Sequence, residues 1–167
     1  MIGLVDYGLG NIQAFANIYK QLGLPVTIAR TPAELRKADK LILPGVGAFD
    51  WAMGQLNRSG LRETLDELVL EQDIHILGIC VGMQMMATRS DEGRENGLGW
   101  IDAVVRKFET ADSAPALPLP HMGWNNVQLS ATDKWHKKFE TCYIEGDWRG
   151  GKNNIILIYF EKISHKV

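Results

Sequence analysis

The sequence predicts an α/β fold, with a mostly parallel β-sheet covered by helices on both faces. Short apolar runs alternate with segments in which apolar residues recur at helical spacing, and glycine or proline separates the two kinds of segment. This alternation is typical of βαβ units, whose crossover helices bury both faces of a parallel sheet. At 167 residues and 46% hydrophobic content, the chain favours one domain with one core.

The first 80 residues contain four strands and the helices between them. Asn11 can cap the first helix, and Thr31, Pro32 and Glu34 form a capping-box signature for the second. The apolar run at 74–79 is the best candidate for a fully buried central strand. The predicted strands are 2–5, 26–29, 40–43 and 74–79, and the predicted helices are 12–22, 32–38, 49–56 and 61–69.

After residue 89 the pattern is weaker. SDEGREN (90–96) is expected to be a solvated loop, 100–108 and 125–129 are expected to be strands, and the prolines of SAPALPLPHMGW (113–124) exclude a helix there. Beyond residue 129 the chain is polar and shows neither period clearly, apart from one possible terminal strand at 155–160. We therefore assign 1–129 to the domain and treat 130–167 as a divergent segment, not an independent domain, with incomplete C-terminal strands and helix.

Composition excludes several function classes. The net charge of −2 with mixed signs argues against a nucleic-acid partner, and there is no apolar run for a membrane span or signal peptide, so a cytoplasmic protein is expected. Cysteine and histidine spacing does not suggest a metal site. DYGLGN follows the first strand, but Gln13 stands where a dinucleotide-binding motif needs its third glycine. We expect no cofactor and no metal.

Cys80 is the candidate nucleophile. It lies in Gly78-Ile79-Cys80-Val81-Gly82, between a predicted buried strand and a predicted helix, which is the context of a nucleophile elbow. Flanking glycines suit the tight turn, and the amino end of the helix favours a thiolate. The alternative is that Cys80 is a small buried packing residue between two glycines.

A second glycine-rich turn, PGVG at 44–47, follows the preceding strand. Loops at the carboxyl ends of parallel strands gather at one edge of the sheet, so this turn and Cys80 should face the same crevice. Its N–H groups, with that of Val81, could form an oxyanion hole. The alternative is a tight turn with no ligand.

Together these segments resemble a known family. DYGLGN, LILPGVGAF, GICVGMQMM, the acidic loop before GLGWI, and LPHMGWN resemble, in order and spacing, the glutaminase subunit of imidazole glycerol phosphate synthase, a class I glutamine amidotransferase. The resemblance covers residues 1 to about 129. It implies hydrolysis of glutamine through a cysteine thioester. Ammonia would pass to a TIM-barrel cyclase partner, which makes imidazole glycerol phosphate and AICAR in histidine biosynthesis.

The resemblance also implies roles for individual residues. Cys80 would be the nucleophile, with oxyanion N–H groups from Val46 and Val81. The glutamine substrate would be held by Gly45, Gly47 and Gln84, and the cyclase would be contacted by Asn11, His121, Met122, Trp124 and Asn125.

The last third of the chain departs from the family pattern. The FxHSY segment and the FHPEKS motif, whose histidine and glutamate complete a Cys-His-Glu triad, are missing, and His165 with Glu161 has neither their order nor their proline. A frameshift, a gene-model error or a truncation would each produce this change. Three alternatives follow: a catalytically impaired copy that only binds the cyclase, a paralogue serving surface-polysaccharide amidotransfer, or an unrelated cysteine hydrolase.

Overall fold

The computed structural model describes residues 1–106, 144–148 and 155–158. These residues contain two β-sheets. The strands are β1 (Ile2–Val5), β2 (Val26–Ala29), β3 (Lys40–Pro44), β4 (His75–Ile79), β5 (Arg89–Ser90), β6 (Ile101–Val105), β7 (Ile144–Trp148) and β8 (Ile155–Ile158). The helices are α1 (Ile12–Gln21), α2 (Pro32–Leu35), α3 (Phe49–Ser59), α4 (Arg62–Asp66), followed by a π-helical turn at Glu67–Glu71, and α5 (Val81–Gln84).

The main sheet is parallel, in the order β2-β1-β3-β4-β8. Leu43 pairs with Gly78 and Pro44 with Ile79, so β3 and β4 end side by side at the same edge. The smaller sheet has the order β5-β6-β7, with β6 and β7 antiparallel. The predicted α/β class with a mostly parallel sheet is confirmed, and β8 pairs with β4 at the edge of this sheet.

Apolar residues are buried on both faces of the main sheet because successive strand residues point to opposite sides. On one face, Leu4 and Ile42 pack against Ile12 and Ala16 of α1. On the other face, the larger core contains residues of α3, α4 and the segment around α5, together with the fully buried Trp100. The indole Nε1 of Trp100 donates a hydrogen bond of 2.6 Å to Asp66 Oδ1, which satisfies its one polar group.

Three local expectations were wrong in detail. Helix α2 begins at the predicted capping box but ends at Leu35, because Lys37 and Ala38 donate to carbonyls three residues back and so tighten the last turn. Strand β4 lies inside the described sheet, between β3 and β8, but it is not fully buried, because His75 is exposed. The segment 90–96 is not simply a solvated loop, since Ser90 is buried in β5.

The predictions for the C-terminal part are tested only in places. β6 falls within the predicted strand 100–108, and β8 within 155–160. The proline-rich segment and the predicted strand 125–129 lie outside the described residues, and the domain boundary at 129 stays a prediction. In the part of the chain that the structure describes, no helix has the length and apolarity needed to cross a bilayer.

Candidate active site

Cys80 occupies a sharp turn between β4 and α5. Its backbone has φ 55° and ψ −124°, in the left-handed half of conformational space that residues with a Cβ rarely adopt. Asp73 is the other non-glycine residue of the described part with positive φ. Such a conformation costs about 1–3 kcal/mol and persists only where surrounding structure holds it. Cys80 is partly exposed, and it also packs against the larger core.

Gly78 and Gly82 make this turn possible. A Cβ at Gly78 would lie 2.6 Å from the Cα of Met83, and a Cβ at Gly82 would overlap the Leu43 carbonyl oxygen and lie 2.9 Å from the carbonyl carbon of Pro44. Side chains at these positions would separate the strand from the helix, or the helix from β3. The predicted elbow geometry is therefore present, although α5 is a single turn and its dipole is correspondingly small.

The turn at 44–47, here called the PGVG loop, contacts the elbow directly. Gly45 packs so closely that a Cβ there would lie 2.8 Å from the carbonyl carbon of Val81 and would overlap the Gly82 nitrogen. Gly47 has φ +85°, and the Val46 side chain is 54% exposed. The main chains of the PGVG loop and the elbow thus form one continuous surface beside Cys80.

Tyr7 lies beneath this surface, and we did not identify it from the sequence. Its buried hydroxyl donates a 2.7 Å hydrogen bond to the Pro44 carbonyl oxygen and lies 3.6 Å from the sulfur of Met85. Burial raises the pKa of Tyr7 above its ordinary value of 10.0, and the neighbouring negative charge of an ionised Cys80 raises it further. The phenol is therefore a permanent donor that fixes the first peptide of the PGVG loop.

Gln84 lies one helical turn after Cys80. Its side chain is 3% exposed, and within the described part of the chain its Oε1 atom has no hydrogen-bond partner. Burying an unsatisfied carbonyl costs about 1–3 kcal/mol. A buried acceptor without a partner can be satisfied by an N–H donor that reaches it.

The residues expected at a partner interface are only partly described. Asn11 is exposed and caps α1, since its side-chain oxygen accepts a hydrogen bond from the Ala14 N–H. The other four, His121, Met122, Trp124 and Asn125, lie outside the described residues, as do Cys142, Glu161 and His165. Among the residues that were placed, His, Cys, Asp and Glu form no group of three that could hold a metal ion.

Comparison with known proteins decides the family. The model of glutamine amidotransferase class I matches residues 3–150. The chain belongs to this family. A solved glutamine amidotransferase structure has a TM-score of 0.55 at 22% identity, covering 64% of this chain and 56% of that one, which supports the fold.

Among these amidotransferases, several similar relatives carry the name imidazole glycerol phosphate synthase subunit HisH. The protein from Bdellovibrio bacteriovorus is 55% identical over 141 residues, or 84% of this chain and 69% of the relative. The protein from Leptospira interrogans is 48% identical over 127 residues, or 76% of this chain and 62% of the relative. The chain therefore spans about two thirds of the length of these relatives. The family expected from the sequence motifs is confirmed.

Proposed function

We propose that this amidotransferase is the glutaminase subunit of an imidazole glycerol phosphate synthase, hydrolysing glutamine and supplying ammonia to a cyclase. The proposal rests on one observation: Cys80 is partly exposed at a strained turn, and the main chain of this turn packs against the PGVG loop. The relatives named imidazole glycerol phosphate synthase subunit HisH support it. The resemblance to that synthase implies histidine biosynthesis as the pathway.

In the proposed mechanism, the Cys80 sulfur attacks the side-chain carbonyl carbon of glutamine. The carbonyl oxygen becomes an oxyanion, and main-chain N–H groups of Val46 and Val81 would stabilise it. When the tetrahedral intermediate collapses, the carbon–nitrogen bond breaks, the nitrogen leaves as ammonia after gaining a proton, and a thioester remains. Water then attacks the thioester, which releases glutamate and regenerates the thiol.

We further propose that Gly45, Gly47 and Gln84 hold the glutamine. Gly47 has open space where a Cβ would lie, so a substrate could approach its main chain closely, and Gly45 brings the PGVG loop against the elbow. The orphaned Oε1 of Gln84 would accept a hydrogen bond from an N–H group of the substrate, which removes the cost of burying that atom unpaired. Tyr7 supports the same surface from below through Pro44.

The thiol proton also needs an acceptor, and the family motifs that supply the triad histidine and glutamate are missing from this sequence. Loss of a triad member leaves only oxyanion-hole and binding contributions to catalysis. We therefore expect residues 1–167 alone to turn glutamine over slowly. Alkylation of Cys80 by a diazoketone should persist, because the thiol can transfer its own proton to the diazo carbon as nitrogen leaves and the carbon–sulfur bond forms.

The proposed partner is the TIM-barrel cyclase, contacted through Asn11, His121, Met122, Trp124 and Asn125. Two names support it. The relatives are named as subunits of the synthase, and a protein from Arabidopsis thaliana named imidazole glycerol phosphate synthase hisHF, chloroplastic, is 41% identical over a match that covers only 21% of its length. That protein is long enough to contain both a glutaminase and a cyclase. The cytoplasmic location stays a prediction.

Labelling with a glutamine-analogue diazoketone tests the proposal, since the reagent alkylates a thiolate only where the site binds glutamine. We expect one label per chain on Cys80, protection by glutamine, and no labelling of Cys80→Ala. Labelling that glutamine does not reduce, or that falls equally on Cys142, would refute the proposal.

A further inference from the structure

The loop at residues 91–96, which follows β5, is folded back on itself. Arg89 and Asn96 form an antiparallel bridge across its base. Inside it, the Ser90 hydroxyl accepts a hydrogen bond from the Glu92 N–H, and the Ser90 carbonyl accepts one from the Gly93 N–H. The tip of this loop therefore has a defined conformation, although its charged side chains are exposed.

One carboxylate holds the tip. Asp50, in the first turn of α3, accepts the Arg94 N–H at 2.9 and 3.0 Å with its two oxygens, and the Glu95 N–H at 3.0 Å. Gly93 lies so close that a Cβ there would be 2.8 Å from the Asp50 Cγ and 3.0 Å from the Phe49 ring. These amides lower the pKa of Asp50, so the carboxylate is ionised at neutral pH.

The two ends of the loop connect different sides of the candidate site. Asp50 belongs to α3, which begins two residues after the PGVG loop. After the loop, Gly97 donates to the Thr88 carbonyl and Leu98 donates to the Met85 carbonyl at 2.7 Å, so the chain returns to the segment that follows α5. The 91–96 loop therefore joins the helix after the PGVG loop to the segment after the elbow.

We propose that Asp50 is a positioning residue that holds the 91–96 loop as one wall of the glutamine crevice. The inference rests on the proposed glutaminase function. Asp50 does not touch the reacting atoms, so its loss changes how well glutamine binds and leaves the intrinsic reactivity of Cys80 nearly unchanged. Loss of a residue that merely stabilised α3 would not change glutamine binding separately from the reactivity of Cys80.

The experiment compares Asp50→Asn with Gly93→Ala. Asp50→Asn keeps the shape of the side chain and replaces one acceptor oxygen by a donor that faces the loop amides. Gly93→Ala alters the same contact from the loop, by placing a methyl group against Asp50 and Phe49. It keeps the Asp50 carboxylate, so it remains informative if Asp50→Asn folds poorly. The matched control is Glu63→Gln, which removes an exposed carboxylate from the first turn of α4.

Loop release is measured by trypsin cleavage after Arg94, whose rate follows the population of the opened loop. We expect cleavage to be about tenfold faster in either variant, which corresponds to about 1.4 kcal/mol. The concentration of the diazoketone that half-saturates labelling of Cys80 should rise about tenfold, and the limiting rate should change less than about twofold. Alkylation by iodoacetamide, which needs no glutamine site, should be unchanged.

A double variant tests whether both substitutions act through the same contact. If they do, Asp50→Asn with Gly93→Ala should be no worse than either alone. Faster cleavage with an unchanged half-saturating concentration would overturn the proposal and leave Asp50 a structural residue. Unchanged cleavage in both variants would overturn it as well. Wild-type labelling that glutamine does not reduce would instead refute the proposed function, a result that cannot be confused with the other two.

Discussion

The hydrogen bond from Tyr7 to the Pro44 carbonyl gives the sharpest test of how the site is built. Tyr7→Phe removes the hydroxyl and leaves a buried acceptor unpaired, which costs about 1–3 kcal/mol. For a domain of this size, each kcal/mol lowers Tm by about 2–4 °C, so a loss of about 2 kcal/mol should lower Tm by roughly 4–8 °C.

The same substitution should slow the reaction of Cys80. If the PGVG loop must keep its position for the glutamine analogue to bind beside Cys80, losing about 1.4 kcal/mol of that preference slows diazoketone labelling about tenfold at low reagent concentration. Thermal unfolding followed by circular dichroism and the labelling rate provide the two measurements. Tyr19→Phe, on α1, is the matched control and should change Tm by less than about 2 °C. A Tyr7→Phe protein with the Tm and labelling rate of the wild type would refute the reasoning.

Three further variants address the elbow, the core and a helix cap. Gly82→Ala places a methyl group against the Leu43 carbonyl, and we expect loss of Cys80 labelling and a lower Tm, by the same two assays. Asp66→Asn weakens the charge-assisted bond to the buried Trp100 indole, and chemical denaturation should show a loss of about 1–2 kcal/mol. Glu34→Gln removes a carboxylate whose pKa is lowered, chiefly by the Arg30 N–H and then by Thr31, from its ordinary 4.5. Its stabilising effect should be complete above pH 4.5 and disappear as pH falls through the lowered pKa, so wild type and variant should converge in Tm in acid.

Each of these expectations has an outcome that contradicts it. For the elbow, it is a Gly82→Ala protein that still labels at the wild-type rate. For the core, it is an Asp66→Asn protein with unchanged unfolding free energy while Trp100→Phe is destabilised. For the cap, it is a difference between wild type and Glu34→Gln that grows towards low pH, because a lowered pKa requires the opposite sign.

The sequence correctly predicted those elements whose defining residues lie within a few positions of one another. The elbow followed from two glycines around Cys80, and the approach of the PGVG loop followed from the rule that parallel strands end at one edge. The end of α2 was predicted too late because an apolar periodicity does not register the tightening of a last turn. The cap at Thr31 was predicted correctly, since a capping box involves residues only three apart.

Contacts between distant parts of the chain could not be predicted in this way. The bond from Tyr7 to Pro44 joins residues 37 apart, and the bonds from the 91–96 loop to Asp50 join residues 44 and 45 apart. Neither partner carries a local pattern that points to the other. Tyr7 was not singled out within DYGLGN, and SDEGREN was expected to be a solvated loop, because each segment was considered without the residues that pack against it. Side-chain placement depends on the packed core, which a single sequence does not specify.

The backbone angles of Cys80 mean that the most stable form of this protein need not be the reactive one. Cys80→Gly would remove a conformational cost of about 1–3 kcal/mol. It would also destabilise the folded state by about 0.5–1 kcal/mol, because glycine makes the unfolded chain more flexible. A selection for heat resistance alone would therefore favour removal of the sulfur. If Cys80 is the nucleophile, reactivity and thermal resistance make opposite demands on the residue at this position.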